Sequence, residues 1–429
     1  MVFAQIGFYL CLFFFFFSIK KERNVANPLT LFSFVWTLVF LFSSMQLYTL
    51  DLADYQTYFF LLLGTIFFIL GCVIAKNVKV KRWTLGKTAK EKEHLLKTTL
   101  LRYKVVYFLL AICVVYYLVS FFFVFSHLDV YNLGNVQSAL QEENIVFKNS
   151  KIMSAFALLV IFPLTTAAPA IAAADMWYGK KDKFLMIEIC CLLLFRTLSS
   201  ANRSGLIILF VYLIVLGLLK RSLMDKNERG AKKSKKIVTR AFVVGVVIFS
   251  VLTISRGAEI FRNIYCNFGM PPMMFEMWQS DVDARNWIGY GTASLNGFLN
   301  SFFYVLKNAF FVDIVPDVVK KMYDIIVLTD VEWKYSGSRL RANAYVSMFW
   351  FFYLDFRLIG VILGSVLYGF FVTFIYEKLK KKPSSKIACV YCLVIYGVMF
   401  SFVRFQFAVG AYSLALMYIV FLCYRKGRP

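Results

Sequence analysis

The sequence predicts an all-α polytopic membrane protein with about eleven transmembrane helices and one long extracytoplasmic loop, and three observations predict it. Hydrophobic residues make up 60% of the 429 and charged residues only 17%, where a soluble domain carries about a quarter charged. Apolar runs close to the roughly 20 residues needed to cross a bilayer recur along the whole chain. Residues 1–429 therefore read as one transmembrane domain rather than as soluble domains with anchors. The breaks between the runs alternate between cation-rich and cation-poor, which is how topology is encoded in charge.

In chain order the runs fall at 1–19, 28–48, 56–75, 103–125, 153–174, 184–200, 205–219, 241–255, 357–376, 387–403 and 406–423. Met1 to Ile19 has neither a positive leading region nor a small-residue cleavage site, so it reads as a first span rather than a removable signal. Lys20, Lys21 and Arg23 follow it, whereas Asp51 to Asp54 holds no cation. The next break is dense, from Lys76 to Lys104, and 126–152 is poor in cations again. Lys180, Lys181 and Lys183, then Lys220 to Arg240, Lys378 to Lys386 and the tail Arg425 to Arg428 complete the basic set. With eleven spans every dense break falls on one side; one span more or fewer would split them. The positive-inside rule puts that side in the cytoplasm, with the N-terminus outside and the C-terminus inside. The net charge of +24 then reads as cationic loops against anionic lipid rather than as a nucleic-acid surface.

Nine cysteines do not make a disulfide scaffold, because all but Cys266 lie in apolar runs, where the thiol acts as a small hydrophobe. Cys389-Val-Tyr-Cys392 has redox or zinc spacing, but it sits inside a span with no second pair and reads as packing.

By this map about 33 of the 48 Lys and Arg face the cytoplasm and about 15 face outward. The inner pool is mostly Lys. The outer pool is mostly Arg: Arg196, Arg203, Arg256, Arg262, Arg285, Arg339, Arg341, Arg357 and Arg404. Topology requires no arginine outside, whereas a planar, always-charged fork grips phosphate at two points. An anionic ligand is the reading preferred for the set. Snorkelling to headgroups, or pairing with Asp and Glu of the same loops, accounts equally well for any single member.

The long outer loop spans 256–342. Phe302 to Val319 reads as a helix lying in the membrane interface, with Lys307 and Asp313 facing water and Pro316 ending or bending it. Asn343 to Leu354 is apolar but short, and Asp355-Phe-Arg357 follows at once. Residues 343–355 therefore read as a re-entrant or interfacial segment, of the kind that lines a wet cavity, and a site is expected there.

Several signals of other chemistries are missing from the sequence. No glycine-rich phosphate loop carries a following lysine, and His94 and His127 match no metal motif, so neither a metal nor a cofactor is expected. Asp281-Val-Asp283 resembles a metal-holding carboxylate pair, but a salt-bridging role with Arg285 is preferred. Asp54 reads as the cap of the span beginning near Tyr55. Trp287, Tyr290, Trp333 and Tyr335 lie among the arginines and could stack on sugar rings, although Trp and Tyr at an interface need no such reason.

The layout resembles the oligosaccharide repeat-unit polymerases of bacterial surface polysaccharide synthesis, the Wzy-type O-antigen and capsule polymerases. Asn27-Pro28 through Leu47-Tyr48 resembles their second span and Gly64 to Gly71 their third. Ala201-Asn-Arg203-Ser-Gly205 is similar to an arginine-bearing turn, and Ser255-Arg256-Gly257 to the arginine before the long loop. Gly291 to Phe298, Asn343-Ala-Tyr345, Tyr353-Leu-Asp355-Phe and Gly360 resemble the later signature. Where that family commonly has threonine after Asn-x-Tyr and glycine after Asp-Phe, Val346 and Arg357 stand here.

The resemblance implies a fold of the GT-C kind and a glycosyltransferase in the bacterial cytoplasmic (inner) membrane. It implies a lipid-linked oligosaccharide donor and acceptor on undecaprenyl pyrophosphate, and a flippase and chain-length regulator of the same pathway as partners. Arg203, Arg256, Arg285, Arg339, Arg341 and Arg404 become the candidate pyrophosphate ligands. Glu259, Asp283, His127 and Asp355 become the candidates for accepting the hydroxyl proton. Two alternatives stay open: an O-antigen ligase-like enzyme with another acceptor, and a lipid-linked oligosaccharide flippase or transporter. Even spans and two similar halves would favour the flippase.

Overall fold

The structure, a computed structural model, describes residues 2–78, 99–127, 150–200, 204–223, 239, 260–312, 314–338 and 340–426. It is about 80% helical. In chain order the helices are α1 (Val2–Glu22), α2 (Pro28–Ser44), α3 (Tyr55–Asn77), α4 (Tyr103–His127), α5 (Ile152–Tyr178), α6 (Lys183–Ser200) and α7 (Ser204–Ser222). There follow α8 (Ile260–Gly269), α9 (Pro271–Ala284), α10 (Asn296–Ala309), α11 (Asp317–Val331), α12 (Ser347–Lys381), α13 (Ser385–Met399) and α14 (Gly410–Cys423). Among the described residues six of these, α1, α3, α4, α5, α7 and α12, are long and apolar enough to cross a membrane. That is the architecture of an all-α membrane protein, since only helices or closed barrels satisfy their backbone groups in lipid. Helices α2, α13 and α14 are apolar but shorter. Helices occupy each apolar run of the sequence except 241–255, which lies outside the described residues.

The chain divides into two compact units, one of residues 1–82, 259–378 and 394–413, the other of residues 83–258, 379–393 and 414–429. In the first, α1 packs on α2 and α3, and α8 and α9 pack against α2. The Asn27 carboxamide starts α2: it accepts the Thr30 N–H and the Ser18 hydroxyl of α1, both at 2.9 Å. Pro28, at the first helical position, has no donor to satisfy. The α3–α12 crossing has no space for side chains at two points. A Cβ on Gly71 would lie 2.2 Å from the Val366 carbonyl oxygen, and one on Gly369 2.2 Å from that of Phe68. Close backbone approach through small residues is the usual contact between helices in lipid. The Trp36 indole of α2 donates to the Ser401 hydroxyl at 3.0 Å.

The region between α9 and α12 differs from the sequence expectation in two places. The single helix expected over 302–319 is a pair, α10 and α11, with Pro316 immediately before α11. Proline's fixed φ and missing N–H suit a helix start and not an interior. The short segment expected at 343–355 is helical from Ser347 and runs on into α12 across a break at Phe356 (φ −146°, ψ 29°) and Arg357 (φ 56°, ψ −140°). Two short strands, Lys334–Gly337 and Leu340–Ala342, form an antiparallel hairpin between α11 and α12.

In the second unit α4 packs on α6, and α5 on α7. Asp175 near the end of α5 closes the turn to α6, accepting the N–H groups of Lys180 at 3.2 Å and Asp182 at 2.8 Å and the Tyr103 hydroxyl. Residues 99–101 pair antiparallel with 424–426. All nine cysteines are free thiols, and Cys389 and Cys392 are buried.

Candidate functional site at the break in the long helix

The break in α12 frees the carbonyls of the turn before it, and the segment 289–294 takes them up. The Gly289 N–H donates to the Leu354 carbonyl at 2.9 Å and the Tyr290 N–H to that of Asp355 at 3.2 Å. The Asp355 carboxylate, 2% exposed, accepts the Ala293 N–H on one oxygen and the Ser294 N–H on the other, each at 2.9 Å. Gly289 must be glycine, because a Cβ there would stand 2.4 Å from the Asp355 carboxylate. Gly291 turns the chain at φ +87°. Asp355, expected as a proton acceptor, is shut from solvent, and both its oxygens hold the docked turn.

Asp283, at the end of α9, is the open carboxylate of this region. The Tyr353 hydroxyl lies 2.9 Å from both its oxygens, and Arg357 Nη1 lies 3.2 Å from Oδ1. Arg357 Nη2 donates to the Val282 carbonyl at 3.2 Å and to Asn286 Oδ1 at 3.3 Å, which fixes the guanidinium plane. That guanidinium also lies over the Tyr353 ring, 5.4 Å from its centroid, and Gln279 donates to the Tyr353 hydroxyl at 3.4 Å. The Arg357 side chain is 28% exposed and that of Asp283 45%, so the pair opens to solvent on the carboxylate side. Tyr290 and Phe356, both exposed, meet edge to face beside it with ring centroids 6.3 Å apart.

In place of the expected salt bridge from this segment to Arg285, Asp283 pairs with Arg357 and Asp281 with Lys334, while the Arg285 guanidinium stacks over Trp287 at 4.8 Å. Asp281 and Asp283 do not converge as a carboxylate pair. Residues two apart on a helix project in different directions, and Asp281 bonds Lys334, which also lies over Trp278. Arg404 is held by a two-point pair with Asp330, Nη1 to Oδ2 at 2.9 Å and Nη2 to Oδ1. Its fork is thus occupied by a carboxylate of α11, one of the uses that sequence left open for such arginines. Arg341, in the second strand of the hairpin, is exposed, 6.0 Å from the Trp333 ring centroid. Arg203, Arg256, Arg339 and Glu259 lie outside the described residues, as does the side chain of His127 at the end of α4.

Glu276 on α9 was not singled out by sequence. Its Oε2 accepts the Asp54 N–H at 2.6 Å and the Thr57 hydroxyl at 3.4 Å, and so closes the start of α3 from a neighbouring helix. Asp54 itself, expected to cap α3, makes no side-chain cap bond. Burial, chiefly, and the nearby Asp54 charge push the Glu276 carboxyl above the usual carboxylate range. Tyr353 and Arg357 were visible only as parts of a pattern, Tyr353 within a resembling segment and Arg357 as an outer arginine standing for a glycine.

The chain matches no protein-family model, no curated protein and no solved structure.

Proposed function

We propose that the protein is a membrane glycosyltransferase of the Wzy type, polymerising undecaprenyl-pyrophosphate-linked repeat units into capsule or O-antigen. It would act at the outer face of the bacterial cytoplasmic membrane, with about eleven spans, its N-terminus outside and its C-terminus in the cytoplasm. The observation that carries this reading is the solvent-open Asp283 carboxylate held by Tyr353 and Arg357 at a break in a helix of membrane-crossing length. Such a place offers a proton acceptor and fixed cations at the level where a lipid-borne pyrophosphate meets water.

In this mechanism the acceptor sugar's hydroxyl gives its proton to Asp283 while its oxygen bonds the donor's anomeric carbon. The bond from that carbon to the pyrophosphate oxygen breaks, and lipid pyrophosphate leaves with the electron pair. Arg285 and Arg341 are exposed guanidinium groups suited to the charge that builds on the leaving group, and Arg357 keeps Asp283 in place. Tyr290 and Phe356 offer ring faces for the sugars.

The test is purified protein in detergent given lipid-pyrophosphate repeat units, without nucleotide sugar or an energy source. A ladder of lengthening glycans is expected. No ladder under any condition, with the same lipid moved across vesicle membranes, would replace the polymerase by a flippase. Transfer of a finished chain to a different lipid acceptor would replace it by a ligase.

A further inference from the structure

Helices α10 and α11 pack against each other and are joined by a turn whose backbone is internally bonded. The N–H groups of Phe310 and Val312 both return to the Leu306 carbonyl, at 3.2 and 3.1 Å, and Phe311 reverses the chain at φ 56°. This bonding leaves the turn's apolar side chains outward. Phe310 is 66% exposed, Phe311 90% and Ile314 68%. Phe302, two turns back along α10, is also exposed. A bulky residue at positive φ with its ring almost wholly in the open is an unfavourable choice for a turn in water, where glycine or asparagine would serve.

Lysines flank the tip on both arms. Lys307 lies in the last turn of α10, and Lys320 and Lys321 in the first turns of α11; all three are exposed. Each lies within about one or two helical turns of the tip, and a lysine stem can lie along apolar surface while its ammonium reaches a phosphate headgroup. The acids of this stretch are Asp313 and Asp317, so three lysines against two aspartates leave a net charge of +1 over 307–321. Apolar contact is thus the main attraction and charge the lesser one. The same unit contains α1, α3 and much of α12, which are of membrane-crossing length, so a bilayer is the apolar phase at hand.

We propose that the turn carrying Phe310, Phe311 and Ile314 is a lipid-inserting tip, with these three side chains entering the headgroup–acyl boundary and the flanking lysines at the phosphates. This differs from a single helix lying flat on the surface: the helical hairpin meets the bilayer by its end. The contact does not depend on which reaction the protein catalyses.

The experiment uses the full chain in nanodiscs of phosphatidylcholine, with and without phosphatidylglycerol. Phe311→Cys and Ile314→Cys are each labelled with an environment-sensitive NBD dye, with Asn308→Cys as the polar-flank control. The nine native thiols are buried or half-buried, and the unsubstituted protein gives their background. Positions 311 and 314 are almost free of buried contacts, so the variants should fold. A nitroxide on the lipid acyl chain near the headgroup should quench both tip labels at least about twofold more than position 308, with blue-shifted emission. Quenching of the tip by aqueous iodide and not by lipid nitroxide would place it in water and overturn the proposal. Shielding from both quenchers would mean that protein covers the tip, and would overturn it equally.

Discussion

Arg357 occupies backbone space that a side chain disfavours: φ 56° with ψ −140° costs a non-glycine residue about 1–3 kcal/mol. Glycine is the residue that adopts such angles without steric cost, and it is glycine that the resembled pattern carries at this place. What holds arginine there is its set of partners, the Asp283 carboxylate, the Val282 carbonyl and the Asn286 amide. Arg357→Gly therefore separates backbone from side chain. The thermal midpoint in detergent should stay level or rise, while polymerisation falls about tenfold or more as Asp283 loses its anchor. Full activity in this variant would remove Arg357 from the site. The two aspartates should part company under substitution. Asp283→Asn should fold normally and lose polymer formation by about 100-fold or more, because an amide cannot accept the proton. Asp355→Asn exchanges one of two buried acceptors for a donor facing an N–H, and should lower stability by about 1–3 kcal/mol, read as a shifted midpoint. Glu276 adds a pH dependence. Its carboxyl is raised in the folded state, so the folded state holds the proton more tightly than the unfolded one. Its contribution is full at acid pH and is lost as pH rises from the usual glutamate range through the raised value. Glu276→Gln keeps an acceptor for the Asp54 N–H and should flatten that part of the profile of midpoint against pH.

Among the elements, those set by local sequence were legible and those set by distant contacts were not. Long apolar runs gave α1, α3, α4, α5 and α7 to within a few residues, because length and composition decide a helix in lipid. The division of 302–319 into α10 and α11 was half legible: Pro316 announced a bend, but the continuation to Val331 carries mixed polarity that hydropathy does not mark. The union of 347–355 with α12 was hidden. Its break is maintained by N–H groups of Gly289 and Tyr290, more than sixty residues earlier in the chain, and no local pattern reports such a partner. Asp355 was conspicuous because a carboxylate in an apolar segment signals either chemistry or a buried anchor, and the N–H groups of Ala293 and Ser294 that it holds come from far outside that segment. The α3–α12 contact was written in glycines whose purpose needed the fold. Gly369→Leu should drive a side chain into the Phe68 carbonyl and force the helices apart, at a cost of about 1–3 kcal/mol or more. The expected readout is a lower midpoint and reduced yield of monodisperse protein, while leucine at exposed Ile359 of the same helix should change neither.

At the scale of the whole chain, orientation is decided by the distribution of cations. Four apolar runs, an even number, separate the basic breaks at 76–104 and 220–240, so the eleven-span reading puts both on one side provided that α6, which is not among the six long apolar helices, also crosses. Six of the described helices are long enough to cross alone; the shorter ones, α2, α13 and α14, can do so only in a locally thinned or well-packed setting. If either α13 or α14 failed to cross, the tail at 425–428 and the basic stretch at 378–386 would lie on opposite faces, against the bias of their charges. Single cysteines at Lys90, at Gly230 and at Lys426, probed with a membrane-impermeant maleimide, test this parity in one experiment. All three should react only in inverted vesicles, since each stands in a cation-rich stretch and moving such a stretch outward is disfavoured. Reaction of position 426 from outside, with 90 and 230 still inside, would mean that one of the two short C-terminal helices is not a span. Reaction of all three from outside would invert the map and put the Asp283–Arg357 site on the cytoplasmic face, where a nucleotide-linked donor would become the better candidate.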